Sequence, residues 1–79
     1  MQKIKNDVLK RSVVIDGHRT SVSMEEAFWR AFKDICHAQG TSINRLITDI
    51  DRKRTGNLSS AIRVYVLEWH MPLPMREAA

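Results

Sequence analysis

The sequence predicts a mainly α-helical domain that opens with a β-hairpin or strand at about residues 11–24 and continues with three helices. Three observations predict this class. Two strand-like stretches flank an Asp-Gly pair, and three later stretches carry apolar residues at helical spacing. Gly or Pro residues separate or end these stretches. We expect the helices at about residues 24–39, 42–54 and 58–69.

The hairpin is predicted from the residues around Asp16 and Gly17. β-Branched residues precede this pair, and an Asp-Gly pair favours a type I′ turn because both of its positions need a positive φ. Residues 18–24 then alternate in polarity, which places successive side chains on opposite faces of a strand. One face carries Thr20, Val22 and Met24, and the other carries Arg19, Ser21 and Ser23.

Each helix is predicted from its caps and its apolar spacing. The first begins with a capping box formed by Ser23 and Glu26 and ends at Gly40. The second has Ser42 as its N-cap, and the third is apolar around most of its circumference, which is typical of a buried helix. We expect these residues in the core or a dimer interface: Val22, Met24, Phe28, Phe32, Ile35, Ile43, Leu46, Ile47, Ile50, Ile62, Tyr65, Val66 and Trp69.

The length of the chain predicts a partner. A chain of 79 residues buries only about 60% of the surface that its unfolded form exposes. The single cysteine, Cys36, cannot form an internal disulfide, so a second copy is the expected source of stability. We expect residues 18–24 of two copies to pair antiparallel across a two-fold axis, which makes the protein an intertwined homodimer.

The charge is concentrated at the N-terminal end. The net charge is +4, and residues 1–23 hold five Lys or Arg against two Asp. We expect a flexible basic arm at residues 1–10, one domain at residues 11–71 and a tail at residues 72–79. A basic arm favours a nucleic-acid partner, although a solvated tail explains the charge equally well.

Several other classes of protein are not expected. His18, His37, His70 and Cys36 lack the spacing of a metal site. The sequence has no Gly-rich phosphate loop and no Ser/His/Asp arrangement, so we expect neither an enzyme nor a cofactor. It has no apolar run of membrane length and no secretory signal, which favours the cytoplasm. It shows no internal repeat.

Three segments carry a resemblance to a known family. Residues 19–28 resemble the strand-into-helix opening of the ribbon-helix-helix family, the Arc/MetJ class of repressors. Residues 39–47 resemble the turn into its second helix. Residues 11–70, about three quarters of the chain, resemble small bacterial ribbon-helix-helix domain proteins, including the Gly-His-Arg-Thr-Ser-Val-Ser opening and the later Gly-Asn-Leu-Ser-Ser-Ala-Ile-Arg helix start.

The resemblance implies a homodimeric, DNA-binding transcriptional regulator whose two-stranded ribbon enters the major groove. It implies that outward strand residues read base edges, namely Arg19, Ser21 and Ser23. It implies phosphate contacts at the start of the second helix, and basic residues before the strand can add to them. The phosphate-contacting residues would be Lys10, Arg11, Ser42, Ile43, Asn44 and Arg45.

One feature keeps an alternative function open. If residues 12–15 fold back on the reading strand, a dimer would have a four-stranded sheet that is too wide for the groove. The protein would then be an interaction or adaptor dimer, or an antitoxin-like binder, that docks a protein partner through its apolar third helix without reading DNA.

Overall fold

The computed structural model describes residues 7–71 and confirms a strand hairpin followed by three helices. The expectations for residues 1–6 and 72–79 lie outside the described residues. The elements are β1 (Val8–Ile15), β2 (His18–Glu25), α1 (Glu26–Gln39), α2 (Ile43–Lys53) and α3 (Leu58–His70).

The hairpin forms where the Asp-Gly pair predicts it. Asp16 has a φ of 49° and Gly17 a φ of 81°, as a type I′ turn requires. β1 and β2 pair antiparallel over eight residues each, from Ile15 opposite His18 to Val8 opposite Glu25. β1 therefore begins three residues earlier than predicted, and residues 8–10 belong to a strand rather than to a flexible arm.

β2 pairs with β1 of the same chain. The predicted pairing of residues 18–24 between two copies stays a prediction. On the outer edge of β1, the Val14 amide donates to Asn44 Oδ1 at 3.0 Å, and on the outer edge of β2 the Ser23 amide donates to Ser59 Oγ at 3.2 Å. Free strand amides are what a further strand would use. These two edge amides are already bonded to helix side chains.

The start of α1 also differs from the prediction. Its N-cap is Glu25, and no side chain caps it, so the Ser23–Glu26 capping box does not form. The strand continues through Glu25 because β1 pairs with it to that point. The end of α1 is as predicted: Gly40 adopts a φ of 66°, and its amide donates to the His37 carbonyl at 3.1 Å.

All five elements contribute to one core, and α3 is an integral part of it. α3 supplies Ile62 and Val66, which are buried, whereas Trp69 is 37% exposed in the single chain. Phe28, Ile43 and Tyr65 are partly buried at the edge of the core. The buried residues are Val13, Val22, Met24, Trp29, Phe32, Ile35, Cys36, Leu46, Ile47, Ile50, Ile62 and Val66.

Candidate nucleic-acid interface

The face of the hairpin that points away from the helices is formed by both strands. Side chains alternate along each strand, so the register places four residues of each strand on this face. The pair at the open end is Val8 and Glu25, and we call the six residues of the other three pairs the reading face. The reading face pairs Lys10 with Ser23, Ser12 with Ser21, and Val14 with Arg19, and all six are exposed.

The polar side chains of the reading face are free to bind a ligand. Within residues 7–71, no hydrogen bond or salt bridge involves the side chains of Lys10, Arg19 or the three serines. The nearest acid along β2, Glu25, instead accepts from Arg63 of α3 at 3.3 Å. The reading face therefore combines two cations and three hydroxyls without a carboxylate among its six residues.

The hydroxyl of Ser23 is available because Ser23 does not cap α1. The backbone amide of Ser23 is bound by Ser59, but its side chain points with the reading face. A hydroxyl both donates and accepts hydrogen bonds. Ser23 can therefore contact a base edge without giving up a helix cap.

Arg11 lies on the opposite face of the hairpin from Lys10, and its predicted contact with DNA phosphate stays a prediction. Its guanidinium forms an ion pair with Glu26 and stands 5.6 Å from the centre of the Trp29 ring. The hydrogen bond from Arg11 lowers the pKa of Glu26, so this carboxylate stays ionised near neutral pH. Arg11 therefore fastens β1 to α1.

The N-terminus of α2 lies along the outer edge of β1. Ser42 is its N-cap, as predicted, with its Oγ accepting from the Arg45 amide at 3.1 Å. The side chain of Asn44 is used by the Val14 amide, and Arg45 is exposed. At the other end of α2, Arg52 reaches Asp16 in the hairpin turn at 3.0 Å. These contacts hold α2 beside the reading face.

Three contributors to this interface were missed by sequence reasoning. Ser12 and Val14 belong to the reading face, and the alternation within β1 was the available indication once the hairpin was predicted. Ser59 caps the β2 edge from a helix 36 residues away along the chain, and no local pattern indicates such a contact.

Within residues 7–71, no group of three or more His, Cys, Asp or Glu side chains is placed to hold a metal ion. Cys36 is buried, and burial raises the pKa of its thiol. No helix within the same range is long and apolar enough to cross a membrane.

The comparison with protein families agrees with this geometry. The family model described as a ribbon-helix-helix domain matches residues 8–70, which is most of the chain. The protein belongs to the ribbon-helix-helix domain family. Members of this family generally bind DNA, typically as dimers, and act as transcription regulators or antitoxins rather than as enzymes. Comparisons with curated proteins and with solved structures gave no significant match.

Proposed function

We propose that this protein is a sequence-specific DNA-binding transcriptional regulator that places its reading face in the major groove. The observation that carries the proposal is the exposed, unpartnered set of Arg19, Ser21 and Ser23 on a two-stranded ribbon. A two-stranded ribbon fits the major groove, which is about 12 Å wide. Residues 12–15 do fold back on the reading strand, but they form the two-stranded ribbon together with it, so this proposal needs no strand pairing between copies and no four-stranded sheet.

Each part of the interface has a distinct role in this proposal. Arg19 donates two hydrogen bonds to O6 and N7 of a guanine, while Ser21 and Ser23 donate to or accept from neighbouring base edges. The first turn of α2 contacts a phosphate through its backbone amides and the exposed Arg45. That turn comprises Ser42, Ile43, Asn44 and Arg45.

Arg19→Ala is expected to weaken binding to the preferred DNA sequence by about 5- to 150-fold, because a bidentate arginine contributes about 1–3 kcal/mol of base discrimination. The preferred duplex is first selected from a random pool at low salt, because phosphate contacts make binding salt-dependent. Gel shifts then give the dissociation constant for the selected duplex and for a scrambled one.

Arg30→Ala is the matched control, since it removes the same charge from an exposed position on α1. It should weaken both duplexes slightly and equally. A wild-type protein that selects no sequence, or an Arg19→Ala protein that discriminates as well as the wild type, would overturn the proposed function.

Under the same proposal, a second copy of the chain packs against the exposed apolar residues of α3. Val64 and Leu67 are 52% and 58% exposed. They adjoin a groove between α2 and α3 that carries both acidic and basic side chains. A two-fold contact brings an acid of one copy towards a base of the other where the two lie on opposite sides of the axis, so a groove with both charges can be self-complementary. The groove charges are Asp49, Lys53, Arg54 and Glu68.

Leu67→Glu is expected to convert the dimer to a monomer, because it places a charge in the centre of the apolar contact. Sedimentation equilibrium measures the mass, and circular dichroism should show an unchanged fold. Leu9→Glu is the matched control, since Leu9 is 46% exposed on the hairpin and should leave the dimer intact. A monomeric wild type would contradict this dimer. If that monomer then bound another protein through Leu67, the adaptor or antitoxin function would replace the proposed dimer contact as the role of α3.

A further inference from the structure

The hairpin register creates an approximate two-fold axis on the reading face. Ser12 and Ser21 are direct cross-strand partners at the middle of the face. In an antiparallel pair, a rotation of 180° about the line through the midpoint of such partners, perpendicular to the sheet, exchanges the two strands. It superposes each β1 residue on the β2 residue nine positions later. Lys10 thus exchanges with Arg19, and Val14 with Ser23.

Four of the six pairs that exchange under this rotation are chemically alike, whereas Arg11 with Thr20 and Val14 with Ser23 are not. Residues 10–15 are Lys-Arg-Ser-Val-Val-Ile, and residues 19–24 are Arg-Thr-Ser-Val-Ser-Met. The third and fourth positions are identical, and both valines of the fourth position are buried. The first position carries a long cation in each strand. No internal repeat was predicted from the sequence, because the match is six residues long and identical at only two of them. The register is what shows that a two-fold axis relates the two segments.

The contacts that the flanking helices make with the two edges of the ribbon are related by the same axis. The capped edge amides, those of Val14 and Ser23, are themselves exchanged by the rotation. Their caps, Asn44 and Ser59, each lie two residues after a helix N-cap, which is Ser42 in α2 and Asn57 in α3. Each N-cap side chain accepts from the amide three residues later, at 3.1 Å in both helices.

The equivalence continues into the core and to the strand ends. Ile47 of α2 and Ile62 of α3 lie five residues after their N-caps, and both are 0% exposed. Two acids, Asp16 and Glu25, are also nine positions apart, and each pairs with an arginine of its flanking helix. The chain therefore places one helix N-terminus against each edge of the ribbon at two-fold related positions.

We infer that a single chain is a complete, approximately two-fold reading unit, in which Lys10 and Ser12 of β1 read bases as Arg19 and Ser21 of β2 do. The inference rests on the proposed function and extends it. DNA sites mirror the two-fold symmetry of the protein that reads them, so the target of one chain is a short, imperfect inverted repeat. Its two halves differ because Val14 favours the methyl group of a thymine where Ser23 forms hydrogen bonds.

The double variant K10R/V14S tests this inference directly. It gives both strands the same set of Arg, Ser and Ser at their three positions on the reading face. Selection from random duplexes should then return a site in which the half read by the altered residues has changed to match the other half. The variant should bind this symmetric duplex about tenfold more tightly than the wild type does. Both substituted residues are exposed, and thermal melting monitored by circular dichroism verifies the fold.

Lys10→Ala provides an independent readout that does not depend on the double variant. It should abolish the base preference at the position that mirrors the one lost in Arg19→Ala. In the Leu67→Glu background, native mass spectrometry should show one chain on a duplex that holds one element. These three results together support a reading unit within one chain.

The outcomes that overturn the inference are separable from failure of the proposed function. If Lys10→Ala weakens all sequences equally while Arg19→Ala loses one base preference, Lys10 contacts phosphate and only the inference fails. If K10R/V14S selects the wild-type site, or two chains share one element in the Leu67→Glu background, the inference also fails. If the wild type selects no sequence, the proposed function itself fails.

Discussion

Phe32→Ala is expected to lower the free energy of unfolding by about 3–5 kcal/mol, which is the usual cost of removing a fully buried phenylalanine. Phe32 is 0% exposed. Its ring packs edge-on against Tyr65 of α3, with 6.5 Å between the ring centres, and against Trp29 with 6.1 Å. The free energy of unfolding of a native domain is only about 5–15 kcal/mol in total. The expected loss is therefore a large fraction of the stability of this small domain.

Urea unfolding followed by circular dichroism measures this effect, and Phe28→Ala is the matched control. Phe28 lies on the same helix but is only partly buried, so its truncation should cost clearly less. Equal costs at the two positions would mean that α1 is rotated about its axis from the orientation described, with Phe28 as deep in the core as Phe32.

The sequence pattern of the first helix predicts the helix itself but not which aromatic residue of its first turn is buried. The stripe of Phe28, Phe32 and Ile35 correctly predicts an amphipathic helix, but the buried aromatic of its first turn is Trp29. The sequence pattern allows either phase, since both aromatic residues are one helical turn before Phe32. The choice depends on Arg11, whose guanidinium stands over the Trp29 ring and pairs with Glu26. The ion pair between Arg11 and Glu26 spans 15 residues, and no local sequence pattern indicates it.

The hairpin shows the same division between local and distant causes. The turn is predictable because Asp16 and Gly17 are two of the few residues that tolerate its φ values. The partner of β2 is not predictable in this way, because the alternation of residues 18–24 is compatible with pairing to β1 or to a second copy. Contacts at the strand edges favour the pairing within one chain, and they come from Asn44 and Ser59, which lie far along the sequence.

The reading face was predicted for one strand only. The alternation of Arg19, Ser21 and Ser23 identifies the outward residues of β2 without any knowledge of the fold. Lys10 was predicted to contact phosphate because the N-terminal residues were expected to be a flexible arm. Once the register extends β1 back to Val8, Lys10 faces outward beside Ser23.

Ile62→Ala is expected to lower the free energy of unfolding by about 2–5 kcal/mol, the range for truncating a buried isoleucine. Ile62 lies on α3, which the family match to residues 8–70 includes. If α3 were only an accessory helix, it would tolerate the change. Ile62 is nevertheless 0% exposed in a core that all five elements share. Urea unfolding again gives the measurement, and Val64→Ala is the control because Val64 is 52% exposed on the same helix.

A comparison with Ile47→Ala then separates two views of α3. Ile47 occupies the position in α2 that matches Ile62 in α3, and it is also 0% exposed. If α3 completes an approximately two-fold domain, both truncations should have costs within the same range, and both should also abolish DNA binding because the ribbon loses its support. If α3 is an added docking helix, Ile62→Ala should cost little and leave DNA binding intact while Ile47→Ala unfolds the protein. Burial of Ile62 to the same extent as Ile47 favours the first result.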